Sequence, residues 1–408
     1  MNRMIILYKM RKKITKQELI DFERHIANLW EKGKLSCPIH LSGGNEEQLI
    51  EIFKDIKEED YVFSTHRSHY HYLLKGGSPK VLEKKILDGK SMHIFDKDIN
   101  FLTSSIVAGG TPIAAGVALG LKKNKSKNHV WCFLGDGAEE EGHFSEAARY
   151  VDGWNLPCTF IIEDNNRSVA TPKKDRYNQS EFNWPSCVKR YNYKSTYPHY
   201  DTGKRIDFSN LKIKKWYKKI KHKKEKSSKL ETSLAYGEAI KQSMEKLAED
   251  KKAIFIGYNI KYGTKAYGTL SNIPKNQLLE TPLAENLMSG LAIGLALTNY
   301  KPVLFFERHD FMLIALDSLV NHLDKLEAMS EGQFKAPVLI RAVAGEETPL
   351  YPGPQHIQNF TKAFENLFSL PIYKPQTASQ ILETYQTLGT FKNSAIIIEK
   401  KELYSKNG

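Results

Sequence analysis

Two stretches of the sequence indicate the fold and the site: residues 129–137 read HVWCFLGDG, and residues 159–166 read TFIIEDNN. Each begins with apolar residues typical of a buried strand and ends in polar ones. Asp136 lies in a Gly-Asp-Gly turn, and Asn165 follows it 29 residues later. Open α/β sheets bind ligands just past the carboxyl ends of their strands. A carboxylate and an amide oxygen there suit Mg²⁺, which would also take diphosphate, carbonyl and water oxygens.

The bulk composition describes a soluble, cytoplasmic protein. The chain has 408 residues, 41% hydrophobic and 26% charged, which predicts about two or three domains. No apolar run approaches the roughly 20 residues that cross a bilayer, and Met4–Tyr8 is too short for a signal-peptide core. Four cysteines without CxxC spacing predict reduced thiols. They are Cys37, Cys132, Cys158 and Cys187.

The positive charge is concentrated in one segment. The formal charge is +13, and residues 204–229 contain twelve Lys or Arg against two acidic residues. Such a run permits nucleic-acid binding, and Trp216 and Tyr217 place aromatic residues among the basic ones. A solvated, mobile linker is the simpler interpretation, because the rest of the chain is not basic in this way. Nucleic acid is therefore not the expected partner.

This basic segment separates two α/β regions, in which short apolar strands alternate with helical patterns typical of parallel sheets. We predict domains at residues 1–203 and 231–408, joined by a linker at residues 204–230. Helices are expected at residues 16–32, 46–56, 112–121, 144–152, 235–250, 285–297, 312–329 and 357–368. Further strands are expected at residues 253–258, 302–306, 337–343, 371–373 and 395–399.

Several motifs of the first region carry a family resemblance. Residues 61–69 read YVFSTHRSH, residues 91–93 read SMH, residues 105–116 read SIVAGGTPIAAG, and residues 135–147 read GDGAEEEGHFSEA. With the spacing from GDG to Asn165, they resemble the thiamine-diphosphate-dependent family of transketolase and the first component of the 2-oxo acid dehydrogenases. This half is similar to the dehydrogenase alpha subunit, which carries the diphosphate-binding domain.

The second region resembles the pyrimidine-binding domain of the beta subunit. Residues 280–286 read ETPLAEN, and Gly290 and Gly294 follow. The resemblance implies the fold class α/β, with two thiamine-diphosphate-binding-fold domains, each a mostly parallel sheet flanked by helices. Two departures stand out: the helical stretch after the asparagines is reduced, and the family's third domain is absent. The alpha-like and beta-like halves are fused in transketolase order.

The resemblance assigns roles around thiamine diphosphate and Mg²⁺. Asp136, Asn165 and the carbonyl of Arg167 would bind the metal. Arg67 would reach the diphosphate, whose oxygens fit a guanidinium fork. The other implied cofactor contacts are Gly135, Gly137, the backbone of Ser105 and Val107, Phe305, Phe311 and, after a shortened segment, His199.

Glu285 is the implied catalytic carboxyl. It would share a proton with the pyrimidine ring, so that the cofactor's own amino group can act as a base. A helix N-terminal glutamate held by the helix dipole is the structural alternative. His356, in a Gly-Pro-Gln-His loop, would contact substrate, and a solvated loop histidine is its alternative. His40 would face the reacting end of the cofactor.

Other polar residues have two interpretations. Arg308 and His309 depart from the family's aromatic pattern; they would read a substrate carboxylate or phosphate, or mark a surface strand end. His69 is a further substrate candidate. His69 lies close in sequence to His66, His71 and His93. These histidines are expected to line a polar cleft and not to bind a metal, because their sequence spacing is not that of metal ligands. The acidic run at residues 139–141 is expected to be a solvated helix entrance.

The family implies an enzyme that cleaves the bond next to a carbonyl of a 2-oxo acid through an enolamine intermediate, as a decarboxylase or carboligase. Transketolase-like ketol transfer and a dehydrogenase component are the alternatives within the family. A non-catalytic thiamine-diphosphate fold or an RNA-associated protein is the alternative of another class. A ligand cleft between domains predicts a homodimer, or pairing with a separately encoded third domain.

Overall fold

The structure is a computed structural model that describes residues 14–177, 182–209, 211–221, 224, 230–345 and 354–404. The apolar run Met4–Tyr8 and part of the basic linker lie outside these residues. Of the described helices, none is both long and apolar enough to cross a membrane. All four cysteines are free thiols, as the sequence predicted.

The first region is a five-stranded parallel sheet covered by helices. Its elements are α1 (Lys16–Glu31), α2 (Glu46–Ile52), β1 (Tyr61–Ser64), α3 (His69–Leu74), α4 (Pro79–Leu87), β2 (Phe101–Thr103), α5 (Thr111–Lys123), β3 (Val130–Gly135), α6 (Gly142–Gly153), β4 (Cys158–Asp164), β5 (Arg167–Ser168), β6 (Thr171–Pro172), α7 (Lys173–Tyr177) and β7 (Val188–Asn192). The strand order is β2-β1-β3-β4-β7. The order places the ends of β3 and β4 side by side, with Gly135 paired to Glu163.

The second region is a six-stranded parallel sheet. Its elements are α8 (Tyr236–Ala248), β8 (Ala253–Gly257), β9 (Leu278–Glu280), α9 (Glu285–Leu297), β10 (Lys301–Phe306), α10 (Asp324–Met329), β11 (Leu339–Ala344), α11 (Thr361–Leu367), β12 (Ile372–Tyr373), α12 (Ala378–Leu388) and β13 (Ala395–Lys400). The strand order is β12-β13-β11-β10-β8-β9. Two parallel α/β sheets flanked by helices confirm the predicted fold class.

Helices α5 and α9 join the two regions, and their backbones pack closely against each other. A side-chain carbon on Gly290 would lie 2.2 Å from Pro112, and one on Gly294 would lie 2.3 Å from the backbone nitrogen of Val117. Gly116 meets Leu291 in the same way, at 2.7 Å. Glycine permits this approach because it has no side chain. The apolar residues around the contact form one core shared by both regions.

Two predicted segments differ in the structure, and some elements were not predicted. The expected helix at residues 312–329 divides into a 3₁₀ turn at His309–Leu313, a π-helix at Asp317–Leu323 and α10. The helix predicted from residue 357 begins only at Thr361. Strand β7 was not predicted, because its sequence VKRYN alternates weakly and lies among polar residues. Helix α12 was not predicted either.

The linker is mostly exposed, as expected, but it is attached to both regions. Trp216 donates its indole N–H to the carbonyl of Gly89 at 3.0 Å, and Lys214 pairs with Asp88 at 3.1 Å. Farther along, Lys219 donates to a carbonyl in the second region at 3.3 Å. The described part of the linker therefore lies along the surface and does not extend freely into solvent.

A buried carboxyl supports the loop that begins at His40. Glu23, on the inner face of α1, is fully buried and accepts a hydrogen bond from the backbone N–H of Ser42 at 2.9 Å. Burial raises the pKa of Glu23 to about 8, and the hydrogen bond from Ser42 opposes this rise. The carboxyl is therefore mostly protonated at neutral pH, as burial without a full ion pair favours.

We expect Gly294→Ala to destabilise the protein, because its methyl group would overlap the backbone of α5. Overpacking of this kind lowers the free energy of unfolding by about 1–3 kcal/mol. Gly153→Ala is the matched control, since no atom lies within 4 Å of its added carbon. Urea unfolding measures both. Equal stability of the two variants would show that the α5–α9 contact is not tight.

We also expect Glu23→Gln to flatten the pH dependence of stability. The unfolded chain releases the Glu23 proton above about pH 4.5, whereas the folded chain keeps it up to about pH 8. The wild type therefore loses stability as pH rises through this window. Glutamine mimics the neutral carboxyl and removes that loss. Urea unfolding at pH 5 and pH 8 tests this, with the exposed Glu59→Gln as control; an unchanged pH slope in Glu23→Gln contradicts the assignment.

Candidate functional site

A cleft lies at the carboxyl ends of β1, β3 and β4, next to the loop that follows β2. It brings together Arg67, Val107, Asp136, Asn165 and Arg167, which the sequence placed in one site. Gly135, Gly137 and His199 line it as well. All of its described lining residues belong to the first region. The strand order explains this meeting, because loops after neighbouring parallel strands share one edge of the sheet.

Asp136 is buried, and an arginine neutralises it. Nη2 of Arg176 lies 3.1 Å from Oδ2 of Asp136. Burial raises the pKa of Asp136 to about 6, Asp164 raises it too, and Arg176 and Lys173 oppose them. Oδ1 of Asp136 forms no hydrogen bond with any residue that the structure describes. One carboxylate oxygen therefore remains open towards the cleft.

A tight turn presents Asn165. Its Oδ1 accepts the backbone N–H of Arg167 at 3.0 Å, and Asn166 between them has a positive φ of 59°. An added carbon on Gly137 would lie 2.4 Å from Oγ of Ser168, so only glycine lets the GDG turn pack against this loop. The two sequence motifs are therefore in direct contact.

Glu139 and Glu140 are not solvated, which corrects the expectation for two of the three acidic residues at 139–141; the side chain of Glu141 is 45% exposed. Glu139 is buried and bonded to Arg190 and to the indole N–H of Trp184, the latter at 2.7 Å. Glu140 pairs with Arg176. Buried carboxylates need such partners, so these acids fix the position of α7 and β7 beside the cleft.

Three histidines meet next to Arg67. The ring centres of His40 and His66 lie 4.6 Å apart, and His199 lies 5.1 Å from His40. Nη2 of Arg67 donates to the carbonyl of His199 at 2.9 Å, and Nη1 donates to that of Leu41. The structure therefore places His199 and His40 beside Arg67, the residue that the family resemblance assigned to the diphosphate.

The histidine cluster could in principle hold a metal, because ligand atoms of its three members lie within 4.8 Å of one another. Arg67 argues against a cation there, since its Nη2 is 3.5 Å from Nδ1 of His199. Burial lowers the pKa of His40 to about 3 and lowers those of His66 and His199, and Arg67 adds to each effect. Neutral rings beside a guanidinium suit an anion.

The other crowded histidines lie outside this cleft. His69 is buried, with Nε2 at 3.0 Å from Oγ of Ser91, and burial lowers its pKa to about 4. His71 lies 3.2 Å from the carboxylate of Glu163. His69 is therefore a buried histidine with a hydrogen-bond partner in the protein interior. The geometry does not support its expected contact with a substrate.

Glu285 begins α9 and is nearly buried, at 8% exposure. The hydroxyl of Tyr258 donates to its Oε1 at 3.3 Å, and burial keeps the pKa of Tyr258 above its ordinary value. The ring of Phe311 lies 6.5 Å from Tyr258 and 5.6 Å from His356. Glu285, Phe311 and His356 thus form one group with a tyrosine that the sequence analysis missed, although it directly follows strand β8.

Three residues of the aromatic stretch have different surroundings. Phe305 is buried in the core, with the guanidinium of Arg341 5.1 Å from its ring, so it cannot hold a pyrimidine face. His309 is fully buried against Phe364, and burial lowers its pKa to about 4. The expected cationic pair is therefore reduced to Arg308, which donates to the carbonyl of His356 at 3.4 Å.

The Glu285 group does not line the Asp136 cleft. Ser105 also faces another cavity, and its hydroxyl donates to the carbonyl of Met92 at 2.9 Å. Sequence reasoning missed the apolar lining residue Ile106, which is 41% exposed, and the neutralising Arg176. The sequence signal that could have identified Ile106 is the adjacent apolar pair Ile106-Val107 in the loop SSIVAGG.

Comparisons with known proteins match the two regions separately. Residues 15–184 match the family model for the dehydrogenase E1 component, and residues 228–406 match that for the transketolase pyrimidine-binding domain. The chain is 35% identical over 165 residues to the alpha subunit of acetoin:2,6-dichlorophenolindophenol oxidoreductase from Bacillus subtilis, covering 38% of this chain and 50% of that one. It is 32% identical over 160 residues to the pyruvate dehydrogenase E1 alpha subunit of Rickettsia prowazekii, covering 37% and 49%.

The chain thus spans about half the length of these relatives. Two solved transketolases share the fold. The one from Campylobacter jejuni has a TM-score of 0.68 at 11% identity and covers 95% of this chain and 79% of that one. The one from Pichia stipitis, in complex with sedoheptulose 7-phosphate, has a TM-score of 0.65 at 14% identity and covers 94% and 76%. The chain therefore belongs to the thiamine-diphosphate-dependent family of transketolases and 2-oxo acid dehydrogenase first components.

Proposed function

We propose that the protein is a thiamine-diphosphate- and Mg²⁺-dependent enzyme that cleaves the bond next to the carbonyl of a 2-oxo acid. The observation that carries this proposal is the meeting of Asp136, Asn165 and Arg67 in one cleft. Family membership supports the cofactor. The alpha-like half matches subunits of 2-oxo acid and acetoin enzymes at 31–35% identity, which favours a 2-oxo acid over a ketose.

The residues of the cleft fit the cofactor. An open Asp136 oxygen, the Asn165 amide and the Arg167 carbonyl are hard oxygen donors, as Mg²⁺ requires. Arg67 and three uncharged histidines supply donors for a diphosphate. Ile106 and Val107 are 41% and 46% exposed and offer an apolar surface for the organic rings.

Bound thiamine diphosphate would supply a carbon nucleophile and an electron sink. The chain's own part is to bind, orient and move protons. Glu285 would hold a proton against the pyrimidine ring, and Tyr258 would fix that carboxyl through Oε1. Phe311 would cover the ring face, and His356 would donate to the substrate oxygen.

Decarboxylation with carboligation is the outcome that we favour within the family. The relatives suggest two alternative reactions, that of a pyruvate dehydrogenase component and that of a transketolase. Arg308, beside His356, is the cation that would select a carboxylate. We place the protein in the cytoplasm, on its composition.

We further propose a homodimer in which each cofactor lies between the first region of one protomer and the second region of its partner. The supporting observation is that, among the residues that the structure describes, the second region of the same chain contributes none to the lining of the Asp136 cleft. Leu283 and Ile314, near the Glu285 group in sequence, are 77% and 62% exposed. Apolar residues at that exposure suit burial against a second protomer.

Asp136→Ala and Glu285→Ala should separate binding from chemistry. Calorimetric titration with thiamine diphosphate and Mg²⁺ should show binding by wild type, at least tenfold weaker binding by Asp136→Ala, and near wild-type binding by Glu285→Ala. In a panel of 2-oxo acids and ketose phosphates, we expect carbon dioxide from a 2-oxo acid with wild type only, detected by mass spectrometry.

Asp152→Ala, an exposed carboxylate on α6, is the control for lost charge and should behave as wild type. Undiminished cofactor binding by Asp136→Ala would disprove the metal assignment. Wild-type turnover by Glu285→Ala would disprove the proton role. Products from ketose phosphates alone would replace our proposed reaction with ketol transfer.

Co-refolding the two inactive variants in equal amounts tests the shared site. In mixed dimers, one of the two clefts combines an intact first region with an intact second region, so activity should return to about one quarter of wild type. Sites formed within single chains would recover nothing. Refolding each variant alone is the control and should give no activity.

A further inference from the structure

A second cavity, of about 290 Å³, lies where three parts of the chain meet. The linker, the loop after β2 and the π-helix with α10 each contribute a wall. We call it the linker cavity. The residues that matter for its chemistry are His93, Trp216, Tyr217, Asn321, His322 and Lys325. It shares Ser104 and Ile106 with the Asp136 cleft, yet its other lining residues are different.

The aromatic wall is held in place by its own contacts. The indole N–H of Trp216 donates to Gly89 at 3.0 Å, and the ring of His93 lies 5.3 Å from the indole. Lys90 lies 5.6 Å from the same ring. These contacts turn a segment without helix or strand into a fixed wall, and flat aromatic faces favour a flat apolar group.

The opposite wall carries a cation without an anionic partner. Lys325 is half-buried, and its Nζ donates to Oδ1 of Asn321 at 3.0 Å. Within the described ranges, no carboxylate forms an ion pair with it, and the cavity has no acidic lining residue. A half-buried cation without a counter-charge is stabilised when an anion binds beside it.

The two histidines of the cavity provide neutral polar atoms. His322 is fixed, with Nε2 at 2.9 Å from Oγ of Ser104 and Nδ1 at 3.1 Å from the carbonyl of Asp317. Burial lowers the pKa values of His93 and His322, and in His322 the carboxylate of Asp317 opposes this and Lys325 adds to it. Both rings are therefore uncharged at neutral pH, and Lys325 is the positive group among the described residues that line the cavity.

We propose that the linker cavity binds a small organic anion, with its carboxylate or phosphate on Lys325 and a flat apolar body against Trp216. The size of the cavity suits such a ligand, since small-molecule sites begin at about 300 Å³. The proposal does not depend on the proposed catalytic function, because none of the charged or aromatic residues that it uses lines the Asp136 cleft.

The test uses the full chain without thiamine diphosphate or Mg²⁺, so it does not depend on catalysis. Benzoate and phenyl phosphate are titrated by calorimetry and by tryptophan fluorescence, with acetate and inorganic phosphate as head-group probes. We expect saturable binding of at least one aromatic probe, at least tenfold tighter than its head group alone. The preferred aromatic probe identifies the head group, carboxylate or phosphate.

Lys325→Met and Trp216→Leu should each weaken that binding at least tenfold, and Lys325→Arg should retain it. Lys215→Met removes an exposed charge from the same linker and should have no effect. Circular dichroism checks that every variant is folded. If Lys325→Met does not fold, the comparison of Lys325→Arg with Trp216→Leu still tests the proposal. No saturable binding of either aromatic probe, or equal losses in Lys215→Met and Lys325→Met, would overturn the proposal.

Discussion

The contact between α5 and α9 is the constraint on which the remaining structure depends. The pairs Pro112–Gly290, Gly116–Leu291 and Gly120–Thr298 run in the same direction along both helices, so the helices are parallel. Their N-termini therefore lie at one end. The loop with Val107 enters α5 there, and Glu285 begins α9 there. Close-packed backbones allow little sliding, so the two functional regions keep a fixed spacing.

Much of the fold could be predicted because the strands are short, apolar and bounded by clear turns. The helix at residues 285–297 has the predicted bounds, and β3 and β4 each begin within one residue of the stretches at 129–137 and 159–166 that indicated them. The meeting of Asp136 with Asn165 followed from the same logic, since parallel strands bring their carboxyl ends together. The local sequence pattern was sufficient to predict contacts wherever the order of the strands could be inferred.

The parts that could not be predicted depend on contacts between distant segments. Phe305 and Phe311 look equivalent in sequence, but only the structure shows Phe305 turned towards Arg341 in the core. The π-helix at residues 317–323 has no sequence signature of its own. Arg176 lies in a lysine-rich stretch, and its pairing across 40 residues with Asp136 depends on the arrangement of α7.

That pairing governs what the acidic end of the cleft can accept. Asp136 already has a positive partner in the guanidinium of Arg176. A bare divalent ion would exchange one attraction for another and add repulsion from the arginine, so its net electrostatic gain is small. An ion that arrives with its own negative ligand brings charge that attracts the guanidinium as well. We therefore expect the cleft to bind a cation–anion complex in preference to a free metal ion.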